Sequence, residues 1–111
     1  HQSHSYQTGG CLYFTFAGKP TERDTQDRPT PEAIDRYYRE VWDAGTRAVL
    51  AAGGSLSPHH GVGLNRSRYM SEALGVGIDV LAALKATLDP AGILNPGKLG
   101  IPSRFGEVGL P

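Results

Sequence analysis

The stretch TPEAIDRYYREVWDAGTRAVLAAG at residues 30–53 decides the fold, because it carries a complete set of helix signals. Thr30 supplies an N-cap hydroxyl, Pro31 suits the first helical turn, and the Glu32 carboxylate complements the helix dipole. Gly53 provides the stop. Apolar side chains recur at helical spacing at Ile34, Tyr37, Tyr38, Val41, Ala48, Val49 and Ala52. The sequence therefore predicts one long helix with this apolar stripe against a core.

A strand is predicted upstream, over residues 10–17, where aromatic and β-branched residues lie between glycines. Cys11 is expected to be a buried structural thiol, since a single cysteine cannot form an internal disulfide. Tyr13 shares its face by period-two alternation and is expected to point toward a partner layer, solvent or a ligand. The opposite face is the expected core face and carries Leu12, Phe14 and Phe16.

Between this strand and the long helix, residues 19–29 are nearly devoid of apolar side chains and predict an exposed loop. Downstream, a short helix is expected to run through Leu74, where Gly75 and Gly77 interrupt it. A further helix is expected to end at Asp89-Pro90, because proline cannot continue it. Its apolar side is expected to consist of Ile78, Leu81, Leu84 and Leu88.

The tail at residues 89–98 is rich in turn formers around a single apolar pair, Ile93-Leu94. This composition predicts an irregular segment that is pinned at one point. Together, these elements predict an α+β fold with one or two strands and three or so helices.

The stretch GGSLSPHHGVG at residues 53–63 sets two adjacent imidazoles in a glycine-rich loop. Glycine permits positive φ and lets a ligand approach the backbone closely. Because imidazole ordinarily titrates near pH ~6.5, His59 and His60 are candidate proton donors and acceptors. The alternative is that both rings only hydrogen-bond backbone groups in a tight turn.

Charge and composition narrow the function classes. Lys and Arg number 11 and so do Asp and Glu, so the chain has no electrostatic footprint for nucleic acid and no basic face for an anionic membrane. No apolar stretch approaches the roughly 20 residues that span a bilayer, and no signal-peptide pattern opens the chain. We expect a soluble, cytoplasmic protein. A start at His1 suggests a piece of a longer chain.

The segment LDPAGILNPGK at residues 88–98 resembles the terminal signature of FAD-linked oxidases with the vanillyl-alcohol-oxidase type of fold. Residues 3–14 and 53–63 are similar to the alkylglycerone-phosphate synthase (alkyl-dihydroxyacetonephosphate synthase) branch of that superfamily. The resemblance covers nearly the whole chain. It implies that residues 1–111 form the C-terminal segment of the substrate-side cap domain, and that an upstream domain absent from this chain binds most of the FAD. The isolated chain is then expected to be inactive.

In that branch, the resemblance implies flavin-dependent exchange of acyl for alkyl on a dihydroxyacetone phosphate ester, without net oxidation. This chemistry removes a proton from a carbon beside a carbonyl. Tyr13 matches the family's acid/base tyrosine, and His59 and His60 match the last two of three consecutive histidines. Pro58 replaces the first. A phenol titrates near pH ~10, so a tyrosine base requires a cation such as imidazolium.

The same resemblance suggests binding residues. Asn95 and Lys98 are similar to tail residues close to the flavin, although Asn-Pro-Gly is also a good turn sequence. Arg66 and Arg68 follow the histidine loop and could bind a phosphate or carboxylate of the substrate, with ordinary surface arginines as the alternative.

Two other functions stay open. One is an FAD-dependent D-2-hydroxy-acid dehydrogenase or oxidase, although His4-Ser5-Tyr6-Gln7-Thr8-Gly9 matches that branch's histidine motif poorly. With few carboxylates beside the imidazoles, no metal site is expected. The other is a non-catalytic binding or oligomerisation module. A small or lipid-like substrate, peripheral membrane association of the parent enzyme and a homodimer are compatible with the resemblance.

Overall fold

The computed structural model describes residues 1–106, and the chain divides into two compact units, His1–Arg47 and Ala48–Pro111. In the described part, two strands and four helices follow one another, in agreement with the predicted α+β class. They are β1 (Gln2–Tyr6), β2 (Gly9–Leu12), α1 (Pro31–Ala51), α2 (Gly63–Ser67), α3 (Met70–Leu74) and α4 (Gly77–Leu88). Over residues 1–106, no helix combines the length and apolar character needed to cross a bilayer.

In the first unit, β1 and β2 form an antiparallel hairpin. Tyr6 pairs with Gly9 and His4 pairs with Cys11, and a register irregularity lies between Gln2 and His4. Cys11 is buried, as predicted. The backbone N–H of Tyr13 donates to the carbonyl oxygen of His1 at 2.7 Å, so Tyr13 lies just beyond the end of the hairpin.

The predicted strand over residues 10–17 is too long, because β2 ends at Leu12. The expected core face is also wrong, since Leu12, Phe14 and Phe16 are 57%, 63% and 64% exposed. The described hairpin pairs Gln2 with Leu12 and bonds Tyr13 to His1, whereas Phe14 and Phe16 lie outside it, so strand alternation does not determine their burial.

The long helix α1 begins and ends as predicted. Thr30 caps it, since its Oγ1 accepts a hydrogen bond from the backbone N–H of Ala33 at 3.2 Å. Gly53, just past the helix end, has φ +76°. The left-handed conformation at this position is the one that glycine adopts without steric cost.

The predicted apolar stripe of α1 is only partly correct. Ile34, Tyr38, Ala48 and Ala52 are exposed. Within the first unit, the extended segment before α1 contacts a neighbouring face of the helix. A Cβ at Gly45 would lie 3.3 Å from the Phe16 ring, and one at Gly18 would overlap the Tyr37 hydroxyl. These approaches explain why Ala33 and Thr46 are the buried residues of α1.

In the second unit, the side chain of Tyr69, a residue that lies between α2 and α3 in the chain, is completely buried. The sequence predicted a single short helix through Leu74, but two helices, α2 and α3, occupy this region. Gly75, at φ +53°, separates α3 from α4, which ends at Leu88 as predicted. The apolar side predicted for α4 is half correct. Ile78 and Leu81 are half-buried, whereas Leu84 and Leu88 are exposed.

Candidate functional site

The tail that follows α4 is anchored by the buried carboxylate of Asp89. Its Oδ1 accepts a hydrogen bond from the backbone N–H of Ile93 at 3.1 Å, and its Oδ2 accepts one from that of Leu94 at 2.9 Å. The sequence predicted a tail pinned around Ile93-Leu94. The backbone of the pair makes these bonds, while its side chains remain 64% and 60% exposed.

A lysine from α4 completes this anchor. The Nζ of Lys85 donates to Oδ2 of Asp89 and also to the carbonyl oxygen of Leu94, so one ammonium joins the helix end to the tail. This hydrogen bond from Lys85 is the main cause that holds the pKa of Asp89 below its ordinary value of 3.8. Burial acts in the opposite direction, and the two backbone N–H bonds add to the lowering.

Two further contacts hold the tail downstream. Arg104 Nη1 donates to the carbonyl oxygen of Ala91 at 2.7 Å. The backbone of Gly100 lies against α2 and α3, where a Cβ would be 2.8 Å from the Ser67 carbonyl oxygen and 3.1 Å from Met70 Cβ. The segment between Leu94 and Gly100 is thus fixed at both ends.

The predicted flavin-binding residues lie on this fixed segment. Asn95 and Lys98 are both exposed. Asn95 has φ +46°, a left-handed conformation that asparagine adopts more readily than most residues, and Gly97 has φ +69°. The Asn-Pro-Gly turn predicted from the sequence is present, and it leaves the amide and the ammonium accessible to a ligand.

The histidine loop places its two imidazoles in direct contact. The ring centroids of His59 and His60 are 4.6 Å apart, with an edge-to-face angle of 86°. Both residues are exposed, and Gly61 and Gly63, immediately after them, have φ +78° and +63°. Two exposed rings in contact, on a loop bent by glycines, form a group that can accept and donate protons.

The two predicted substrate-binding arginines have different surroundings. Arg66, near the end of α2, is half-buried, and its carbonyl oxygen accepts from the N–H of Tyr69 at 3.0 Å. Arg68 is exposed, and its guanidinium lies 4.8 Å from the centroid of the Tyr69 ring. This cation–π contact orients Arg68 against the buried Tyr69 ring.

Tyr13 belongs to the first unit, whereas the other predicted site residues belong to the second. Its side chain is 39% exposed, and its ring centroid lies 6.4 Å from that of His1. Tyr13 is thus partly exposed, and its acid/base role stays a prediction.

Sequence reasoning missed the part that Lys85 and Asp89 play in holding the tail. Asp89 was interpreted only as the end of a helix. A sequence signal was present, since the two residues are four apart and a run of turn formers follows them. The complete burial of Tyr69 was missed as well, because a single aromatic residue between two short helices has no periodic pattern that marks it as buried.

Comparison with known proteins connects this architecture to a family. Residues 1–99 match the family described as FAD linked oxidases, C-terminal domain. The chain is 40% identical over 100 residues to an alkyldihydroxyacetonephosphate synthase of Dictyostelium discoideum, covering 89% of this chain and 15% of the relative. It is 32% identical over 99 residues to the uncharacterized FAD-linked oxidoreductase YgcU of Escherichia coli, covering 89% and 19%.

A third relative is the glycolate oxidase subunit GlcD of Bacillus subtilis, 34% identical over 77 residues, which cover 68% of this chain and 16% of the relative. No solved structure matches the chain. The chain spans less than a fifth of the length of these relatives. Since the family match covers both strands and all four helices of the described part, the chain belongs to the FAD-linked oxidases, as their C-terminal domain.

Proposed function

We propose that this chain is the C-terminal segment of a flavoenzyme that exchanges acyl for alkyl on a dihydroxyacetone phosphate ester. The observation that carries the proposal is the contact between His59 and His60, 4.6 Å apart on an exposed glycine-bounded loop. The similarity to synthases, at 40% identity for Dictyostelium discoideum and 35% for Trypanosoma brucei brucei, supports this reaction as the proposal.

Three side chains carry the proton transfers in this proposal. The Tyr13 phenol removes and returns the proton on the carbon beside the substrate carbonyl, as general base and then general acid. His59 and His60 supply the second acid/base group. Because the rings meet edge to face, one ring can orient the other while that ring exchanges a proton. When bound, FAD supplies an electron-accepting ring next to the reacting carbon.

The binding roles follow from charge and exposure. The exposed amide of Asn95 and the ammonium of Lys98 are hydrogen-bond donors on a fixed turn, so they fit the carbonyl oxygens at the edge of a flavin ring. The guanidinium groups of Arg66 and Arg68 suit the substrate phosphate, to which arginine can donate two parallel hydrogen bonds.

A second candidate is an FAD-dependent D-2-hydroxy-acid dehydrogenase. It is favoured by the 34% identity to a glycolate oxidase subunit, and the same residues would serve it. The arginines would then bind the substrate carboxylate, and a histidine would accept the hydroxyl proton while the hydroxy acid is oxidised to a keto acid and the flavin is reduced.

One experiment separates these functions. The intact protein is purified with its flavin and mixed anaerobically with an acyl dihydroxyacetone phosphate plus a fatty alcohol, and separately with a panel of D-2-hydroxy acids. The proposal expects release of the fatty acid and formation of the alkyl product, with no lasting loss of flavin absorbance. Bleaching by a hydroxy acid would replace the proposal by the dehydrogenase, and neither reaction would favour a non-catalytic module.

A further inference from the structure

The feature that carries a further inference is the set of bonds around the end of α4, here named the Lys85–Asp89 clamp. It comprises the Lys85 ammonium, the Asp89 carboxylate, and the backbone groups of Ile93 and Leu94 that they bind. Asp89 is 8% exposed and its side chain accepts from three donors. The clamp therefore joins a helix end to a chain reversal through an ion pair whose carboxylate is buried and whose ammonium is partly exposed.

Helix stability alone does not explain this arrangement. A carboxylate at the C-terminal end of a helix opposes the helix dipole, and burial adds a desolvation cost. A lysine placed four residues before an acid is also the less favourable order for a pair on one helix. The compensating gain lies in the tail, since Asp89 satisfies two backbone N–H groups and Lys85 satisfies the Leu94 carbonyl oxygen.

We propose that the Lys85–Asp89 clamp positions the flavin-binding residues Asn95 and Lys98. This inference rests on the function proposed above, in which these two side chains contact the flavin. Leu94, the last residue held by the clamp, is bonded directly to Asn95, whose φ of +46° needs a fixed neighbour to be maintained. Lys85 and Asp89 themselves act through the tail and are positioning residues.

The test uses the intact flavoprotein and the variants Lys85→Met and Asp89→Asn. Lys85→Met keeps the length of the side chain and removes its charge. Asp89→Asn keeps one carbonyl oxygen, so it preserves part of the anchor if the first variant fails to fold. The matched control is Arg39→Met, which removes an exposed pair four residues apart on α1, where Arg39 Nε lies 2.8 Å from Asp35 Oδ2.

The first measurement is hydrogen exchange in the tail. Loss of a hydrogen bond to a charged acceptor is expected to accelerate exchange at the Leu94 and Ile93 amides by about tenfold or more in Asp89→Asn. The second measurement is the visible spectrum of the bound flavin together with kcat and KM. In both clamp variants, a shifted flavin spectrum and a kcat lowered by about tenfold are expected. Lys85→Arg, which keeps the positive charge at position 85, should have the spectrum and kcat of the native protein. Arg39→Met should change neither.

Three results overturn the inference. The first is unchanged exchange at the two amides in the clamp variants. The second is faster exchange at these amides in the clamp variants while their flavin spectrum and kcat stay unchanged. This result counts against the inference when Lys98→Met does alter the spectrum and kcat. If Lys98→Met and Asn95→Ala also leave the spectrum and kcat unchanged, the tail does not contact the flavin, and it is the proposed function of these residues that fails along with the inference.

Discussion

The backbone of Gly100 lies so close to the carbonyl oxygen of Ser67 that a Cβ at position 100 would be 2.8 Å from it. The same Cβ would be 3.1 Å from Met70 Cβ, and the φ of Gly100 is +77°. This contact fixes the far end of the tail against α2 and α3. A side chain here would both strain the backbone and push the tail away.

Gly100→Ala is therefore expected to lower the free energy of unfolding by about 1–3 kcal/mol, because the left-handed conformation and the close contact both oppose a methyl group. Urea unfolding of the intact protein, followed by tryptophan fluorescence, measures the change. Gly9→Ala is the matched control, since a Cβ at Gly9 meets nothing within 4 Å. Equal stability of the two variants would contradict the close contact.

Thr30→Ala is expected to destabilise the protein by about 1 kcal/mol, since it removes the side-chain oxygen that accepts the N–H of Ala33 at the start of α1. Thr30→Ser should retain most of the stability, because serine supplies the same oxygen. The midpoint of thermal unfolding reports both. Thr25→Ala, in the exposed loop before α1, is the control and should leave the midpoint unchanged.

The contribution of Asp89 to the free energy of unfolding is expected to depend on pH. Its pKa in the folded state lies below 3.8, chiefly because of the hydrogen bond from Lys85. A lowered carboxyl pKa means that the stabilisation is fully present above the unfolded-state pKa and is lost as the pH falls through the folded-state value. Unfolding curves from pH 7 to pH ~2.5 should show the difference between the native protein and Asp89→Asn shrinking below pH ~3.8. A difference that is constant with pH would contradict this.

Tyr13→Phe is expected to lower kcat by about 10²- to 10⁴-fold while the flavin stays bound, because the variant lacks only the phenolic hydroxyl that exchanges the proton. Turnover and the visible spectrum of the purified variant measure the two effects. Tyr6→Phe is the control in the same unit, where Tyr6 lies on β1 with its ring stacked on His4. A normal turnover in Tyr13→Phe would remove Tyr13 from the proposed chemistry.

Local signals in the sequence predicted both ends of α1 and the end of α4. Thr30 and Gly53 marked both ends of α1, and Asp89-Pro90 marked the end of α4. These signals succeed because helix capping and the ending of a helix at proline depend on a few neighbouring residues. The burial of Cys11 was also predictable, since a lone apolar thiol favours the interior.

Burial patterns were harder to predict, because they depend on which element lies against which face. Phe14 and Phe16 alternate as a strand would, yet no partner strand in this hairpin extends beside them. For the candidate site, the sequence identified the histidine pair and the turn at Asn95, and the roles of these residues remain predictions.

The sequence by itself determined the ends of α1, the end of α4, the glycine-bounded histidine loop and the family, because each depends on residues that are contiguous in the chain. Only the tertiary structure decided that Asp89 anchors the tail, that Tyr69 is completely buried, and that Gly100 must stay a glycine. These features join residues that are distant in the chain or bond backbone groups across a chain reversal. Their energies come from contacts and burial, which no local pattern of residue types specifies.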